Sequence, residues 1–267
     1  MPLTFLSHQA VVLPLKIATP RAVSGTALVL GSMAPDVEYF LRAYPTATLS
    51  HTWVGQLTFC LPVTLVLFWL VTRVIAEPAA AHAPDWGELQ LADYALIARQ
   101  PSGIGHWAIV MVSAVIGSAS HLLLDGAERA AGGVPYHALS ASAFWVMVNV
   151  ALWIVLAAAT LRMLLYIGRR HLLRRWIRDR SGRQSANAAR PDLHRGSPGL
   201  FWGWVAFSAV VGAGLGIIFR RPGFFLHQGA TWVHIWLCSM SGAFVGLVLA
   251  SAKWHIARVR VPLRGNE

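Results

Sequence analysis

His121 and Asp125 stand four residues apart where a charge-free apolar run, His106 to Leu124, comes to its end. On a helix that spacing puts an imidazole and a carboxylate on one face, one turn apart, so both can reach a single metal ion. Ionisable groups at membrane depth are costly and usually have a partner and a purpose. The plainer reading of the pair is a histidine hydrogen-bonded to a neighbouring helix and an aspartate at the interface. Which reading holds depends on the elements that position these two residues and on where the other histidines and carboxylates fall.

Composition fixes the class of those elements. Of 267 residues, 56% are hydrophobic and 12% charged, and the mean hydropathy is +0.54; a soluble domain carries roughly 25% charged residues. The expected fold is all-α, a polytopic helical membrane bundle. Five runs reach the roughly 20 residues that cross a bilayer: Val54 to Ile75, His106 to Leu124, Ala143 to Ile167, Leu200 to Phe219 and Trp232 to Ala252. The chain then reads as one membrane domain, 1–267, with a motif region at 1–53 and three spans within 54–167. An arginine-rich connection follows at 168–199, two more spans at 200–252 and a basic tail at 253–267. Trp53, Trp107, Trp145, Trp202, Trp232 and Trp254 near the span ends suit interfacial anchoring, whereas Trp69, Trp153 and Trp236 must face lipid or the bundle interior. No cleavable signal peptide is expected from the first twenty residues, so the first span serves as the insertion signal. Cys60 and Cys238 lie inside spans and read as small packing residues.

Arginines set the orientation. Nine of them lie between Gly168 and Gly199, against Asp179 and Asp192, which places that connection in the cytoplasm. The tail, with Lys253, Arg258, Arg260 and Arg264, is two spans further on and falls on the same side. Against this stand the acidic connection from Ala76 to Gly105, which becomes cytoplasmic, and Arg220 with Arg221, which fall outside; acidic residues weigh little in the rule. Topology thus accounts for the net charge of +11, and no nucleic-acid partner is needed to explain it. Between Arg169 and Arg178, Leu172, Leu173, Trp176 and Ile177 form an apolar stripe suited to a short helix on an anionic membrane surface, and 180–198 reads as a flexible linker.

The same topology sorts the histidines. His51, His121 and Asp125 fall on the external face with His8, Asp36, His137, His227 and His234; His82, His106, His171, His194 and His255 fall on the other. His106 is roughly 22 Å from His121 along a helix and cannot share its site. Around Asp36, the thirteen apolar residues from Ala22 to Ala34 are too few to cross the membrane and predict a short buried or interfacial half-helix, stopped by Pro35. Asp36 would then open a new helix, with Glu38 nearby, an ordinary stabilising place for an acid. His8 could equally be a cap or a surface residue.

Taken together, Met1-Pro2-Leu3-Thr4 to Ser7-His8, Leu13-Pro14-Leu15, Gly31-Ser32-Met33-Ala34-Pro35-Asp36-Val37-Glu38-Tyr39-Phe40, Ser50-His51-Thr52 and Ser120-His121-Leu122-Leu123-Leu124-Asp125 resemble a bacterial membrane family of unknown function. That family is similar in turn to the inner-membrane metal-dependent hydrolases described as LexA-binding. In the order His, Asp, His, His-x-x-x-Asp it remotely resembles the zinc-dependent phospholipase C and nuclease group. The resemblance implies a bacterial inner-membrane location. It also implies that Asp36, His51, His121 and Asp125 bind one divalent metal, most plausibly zinc, with His8 a candidate for a second. The sequence departs from the pattern at Arg129, where the family commonly has a further histidine; a guanidinium cannot coordinate zinc. Glu128, His137, His227 or His234 could stand in, although each of these histidines reads as readily as a surface or packing residue.

The chemistry implied is hydrolysis of a phosphate ester of a lipid or lipid-linked substrate at the membrane surface. Metal-bound water would supply hydroxide near neutral pH, and Glu38 or Glu128 would accept its proton. The alternative is a non-catalytic membrane scaffold or transporter-like bundle whose polar groups make interhelical hydrogen bonds. Gly212 with Gly216, and Gly242 with Gly246, give the last two spans close-packing faces under either reading.

Overall fold

A computed structural model describes residues 6–44, 46–84, 86–99, 103–130, 143–181, 197–219 and 228–260. All regular structure among them is helical, and the fold is all-α. Five helices are long and apolar enough to span a membrane: Trp53–His82, Ile104–Arg129, Met147–Arg169, Pro198–Ile218 and Thr231–Arg258. They match the five expected runs, extended at most ends because the hydrogen-bonded helix continues past the apolar stretch that defines a span. His137, His194, His227, Arg220, Arg221, Met1 to Thr4 and most of the proposed 180–198 linker lie outside the described residues.

The helices are α1 (Gln9–Ala18), α2 (Gly25–Arg42), α3 (Trp53–His82), α4 (Ile104–Ala130), α5 (Ala143–Arg169), α6 (Leu172–Ser181), α7 (Pro198–Ile218) and α8 (Gln228–Arg260). They divide into two compact units. The first comprises Met1–Glu38, Thr46–Phe68 and Pro101–Arg170; the second comprises Tyr39–Pro45, Trp69–Gln100 and His171–Glu267.

In the first unit, α2 and α4 run in the same direction in close contact. The Ser24 amide donates to Ser113 Oγ at 2.9 Å, and one turn pair further along, the His121 ring donates from Nδ1 to the Ser32 carbonyl at 2.7 Å. Between these ties the backbones touch. A Cβ at Gly31 would overlap the Ala114 carbonyl oxygen, and one at Gly117 the Leu28 carbonyl oxygen, so glycine is required at both crossings. Val12 of α1 packs with Val23 and Leu28, and Lys16 caps the α1–α2 turn through the carbonyls of Pro20 (2.6 Å) and Val23 (3.0 Å). The segment before α1 is held by Thr160 of α5, whose hydroxyl donates to the Leu6 carbonyl at 2.7 Å.

Pro35 does not stop the helix. The half-helix expected at 22–34 is instead the front of α2, which begins at Gly25 and continues through Pro35 to Arg42, so Asp36 lies mid-helix and not at an N-terminus. Proline inside a helix removes one hydrogen bond and costs about 3 kcal/mol. Here Ala34, Pro35 and Asp36 are all buried, and the α2–α4 contact offsets that local cost.

The second unit is built on the pair α7 and α8. The two expected glycine faces meet: Gly212 lies against the Cys238 carbonyl, Gly216 against the Cys238 side chain, and Gly242 and Gly246 against Ser208. Trp202 donates to the His82 carbonyl at 2.8 Å, and Trp236 packs against Phe40. The amphipathic stretch after Arg169 is the helix α6, entered through a left-handed turn at His171 (φ 48°). It is fastened by buried Asp93, which accepts from Arg174 Nε at 2.8 Å and pairs with His171 Nδ1 at 3.1 Å. Asp93, in the 3-10 turns at Leu91–Arg99, carried no signal in the sequence, because its partners are some eighty residues away. Cys60 and Cys238 are both free thiols.

Candidate metal centre

Four short elements of the first unit bring the expected residues together. His8 precedes α1, Asp36 lies in the middle of α2, His51 sits in the turn before α3, and His121 and Asp125 share one face of α4. Their ligand atoms alternate between nitrogen and oxygen. His121 Nε2 lies 3.7 Å from Asp36 Oδ1 and 3.8 Å from Asp125 Oδ2; His51 Nε2 lies 3.9 Å and 3.6 Å from the same two oxygens. The other Asp125 oxygen, Oδ1, faces His8 Nε2 at 4.0 Å. The His8 and His121 rings stack with centroids 3.9 Å apart, and His51 meets His121 edge-on at 5.4 Å. Two groups of donors therefore share His121: Asp36 with His51, and His8 with Asp125.

These separations are too long for hydrogen bonds. Two ligands held about 2.0–2.2 Å from one tetrahedral zinc lie about 3.3–3.6 Å apart, close to what is seen. Chemistry argues the same way. The Ser32 carbonyl is purely an acceptor, so His121 Nδ1 must carry a proton, and Nε2 is the nitrogen left for a metal ion. Nε2 faces Asp36 Oδ1 and Asp125 Oδ2. His121 is 0% exposed and Asp36 1% exposed, and neither His121 Nε2 nor Asp36 Oδ1 has a hydrogen-bond partner among the described residues. Buried polar atoms left this way cost about 1–3 kcal/mol each; a cation between them satisfies all of them at once. The donor set fits a divalent ion of the zinc type, and these are the residues that could hold one.

Electrostatics acts on the candidate ligands outside the spans. Burial, then the neighbouring His121, pushes His8 down to about 2. Burial and His121 also lower His51, to about 4, against the opposing pull of Asp125. Both rings are therefore neutral at pH 7, as ligands must be. Burial raises the Asp36 carboxyl, with His121 opposing and Asp125 adding to the rise; a cation held beside it would favour the charged form.

Glu38 and Glu128 are placed differently. Glu38, 4% exposed, accepts hydrogen bonds from the amides of Thr48 (3.0 Å), Leu49 (3.1 Å) and Ser50 (2.8 Å) and from the Thr48 hydroxyl (3.1 Å). Burial pushes its carboxyl up, but these donors, with the Ser50 hydroxyl, outweigh burial and hold it at about 2. Glu128 is half-buried, one helical turn beyond Asp125, and accepts from Trp153 Nε1 at 3.2 Å. Arg129 is exposed on the next position. His234 belongs to the second unit, where its Nδ1 donates to the Ala43 carbonyl.

The turn that carries His51 is the part that sequence reasoning left unexplained. Ser50 is fully buried. Its hydroxyl contacts His51 Nδ1 at 2.9 Å, and its carbonyl accepts from Gln56 Nε2 at 2.9 Å and from the Cys60 thiol at 3.4 Å. Gln56 and Cys60 reach the same carbonyl because Gln56–Cys60 is a π turn within α3; turns of this kind are frequent at functional sites. Thr52 caps α3 by accepting from the Gly55 amide at 2.9 Å. The Ser-His-Thr motif was visible, but the dependence of its geometry on Glu38 was not.

No curated protein and no solved structure matches the chain. Residues 1–252 match a domain of unknown function, DUF4184, and the chain belongs to that family.

Proposed function

We propose that this protein is a multi-pass, metal-dependent hydrolase of the bacterial inner membrane, acting on a phosphate ester of a lipid or lipid-linked substrate. Asp36, His51, His121 and Asp125 would hold a zinc ion, and His8 with Asp125 would provide for another. When bound, the metal supplies hydroxide at neutral pH by lowering the pKa of its water. The observation that carries this reading is the buried His121 Nε2, facing the buried Asp36 Oδ1 at 3.7 Å and the half-buried Asp125 Oδ2 at 3.8 Å, too far for hydrogen bonds.

The chain's own residues divide the remaining work. Glu128 is the proton acceptor: it lies one turn from Asp125 and among the described residues accepts one hydrogen bond, from Trp153, which leaves lone pairs available. Glu38 was the other candidate, but its carboxylate is occupied by four donors and is too weak a base for the task. Arg129, exposed and without an ion-pair partner among the described residues, suits the charge of a phosphate group. The arginine-rich connection puts the C-terminus in the cytoplasm and the site at the outer face. In intact cells, an impermeant thiol reagent should fail to label Ser185→Cys; ready labelling would reverse that orientation.

Metal analysis of the detergent-purified chain tests the core of the reading. It should return about one or more tightly held zinc ions per chain, lost in His121→Ala, together with a phosphodiesterase or phosphatase activity that a chelator removes. A chain that stays metal-free after exposure to micromolar zinc would end the proposal.

A further inference from the structure

The residues 48–50 form a small cradle of amides, and a cradle of this kind ordinarily receives an anion. Here the anion is internal: the Glu38 carboxylate takes the amides of Thr48, Leu49 and Ser50. Ser50, on the same turn, places its hydroxyl 2.9 Å from His51 Nδ1. For His51 Nε2 to offer a lone pair, the ring donates from Nδ1 to that oxygen. Nε2 is the atom that lies 3.9 Å from Asp36 Oδ1 and 3.6 Å from Asp125 Oδ2.

From this chain of contacts we infer that Glu38 is a positioning residue: by binding the amides of Thr48, Leu49 and Ser50 it holds the turn from which the Ser50 hydroxyl meets His51 Nδ1, and so aims Nε2 at the two carboxylates. The inference rests on the metal reading above. It assigns the second carboxylate of the Ala-Pro-Asp-x-Glu block a role distinct from that of the first. Asp36 faces the ion, and Glu38, two residues along the same helix, holds the turn that brings His51 to it. His121 obtains the same service more simply, because its Nδ1 proton goes to the Ser32 carbonyl. Both histidines thus have their protonated nitrogen turned away from the centre, as partners of metal-bound imidazoles usually require.

The test uses the full chain in detergent micelles, stripped with chelator and titrated with zinc against a chromophoric competitor. Cobalt loading reports ligand geometry through its visible absorption. Removing an outer-shell partner of a ligating histidine typically weakens metal binding 10–100-fold. Ser50→Ala and Glu38→Gln should each do so, with a changed cobalt spectrum. In a His51→Ala background neither should weaken binding by more than about twofold, since residues acting through one another are not additive. A loss that persists in that background would show Glu38 acting elsewhere and overturn the inference, as would wild-type affinity in Ser50→Ala. If Glu38→Gln loses helicity or monodispersity, Ser50→Ala decides alone. An unmutated chain that binds neither metal fails the site reading itself, a result distinct from normal binding with insensitive variants.

Discussion

Two helix pairs in this molecule meet through glycine, and they differ in what lies beside the contact. Along α7 and α8, Gly212, Gly216, Gly242 and Gly246 bring the backbones together around Cys238 and Ser208, and several buried or half-buried ionisable groups of that unit have partners. Asp93 has Arg174 and His171, His234 has the Ala43 carbonyl, and His255 has the Val74 carbonyl. Along α2 and α4, Gly31 and Gly117 make the same kind of contact, but at its end sit Asp36 Oδ1 and His121 Nε2, buried without partners among the described residues. A scaffold explains the first pair completely. It does not account for a close-packed contact that ends in two buried polar atoms without hydrogen-bond partners, and that difference is what the metal reading addresses.

The largest effect should come from the site itself. If Asp36, His51, His121 and Asp125 share an ion, each single alanine should abolish most metal binding and most activity, and double variants should be little worse, because such a set works as a unit. Interhelical hydrogen bonds behave otherwise, contributing about 0.6 kcal/mol each and adding when distant. Mild, additive losses of thermal stability at unchanged metal content would favour a scaffold. Next in size is a matched pair of glycine variants. Gly117→Val places a branched side chain against the Leu28 carbonyl and should separate α2 from α4, losing metal as well as stability. Gly212→Val, against the Cys238 carbonyl, should cost stability of similar size, on the order of 1–3 kcal/mol, with metal content retained. Equal metal loss in both would mean that the contact at α2 and α4 has no special bearing on the site.

The two pairs also differ in how legible they were along the chain. Spans were readable because an apolar run of membrane length is rarely anything but a span, and the clustering of the candidate ligands was hinted at because His-x-x-x-Asp at a span end is costly without a purpose. The α7–α8 glycines were readable as spaced pairs. Gly31 and Gly117 were not, since each is a lone glycine whose partner surface is on another helix. The same limit produced the error at Pro35: local rules end a helix there, and the long-range contact that carries α2 through is invisible along the chain. Glu38 was read as a base because a carboxylate beside a metal motif often is one; its three amide donors lie ten to twelve residues downstream in a turn.

Acidification should give a smaller, graded effect. His8 at about 2 and His51 at about 4 lie below the ordinary 6.5 that they regain on unfolding. The unfolded chain therefore binds more protons, so the stability these histidines contribute is present above pH 6.5 and is lost as pH falls below it. Asp36, with its carboxyl raised, works in the opposite direction: the stability it contributes is lost as pH rises through its folded value. The metal-free chain should lose stability between pH 7 and 5 with a slope of up to about 1.4 kcal/mol per pH unit for each histidine. Denaturant unfolding of chelator-treated protein in micelles measures this, and His51→Gln should reduce the slope by about one proton. An unchanged slope would mean that His51 is charged in the folded state.

The smallest effect should come from the second unit's outer ion pair. Arg258 Nη1 and Glu77 Oε1 meet at 2.7 Å, with side chains 53% and 24% exposed, and the guanidinium also lies 5.2 Å from the Trp254 ring centroid. Short distance alone argues for a strong contact, but exposure decides the magnitude: water screens the charges, and two long side chains lose freedom in meeting. Exposed pairs of this kind contribute about 0.2–1 kcal/mol, and part of the Arg258 contribution is its contact with the ring, which Glu77→Gln leaves in place. Glu77→Gln should therefore lower stability by no more than about 0.5 kcal/mol and leave metal content and activity at wild-type levels. Measured beside Asp36→Ala, it calibrates the comparison between the units. A loss of zinc on removing this one carboxylate would mean that metal content in this protein follows stability at large, and it would remove the distinction on which the site assignment depends.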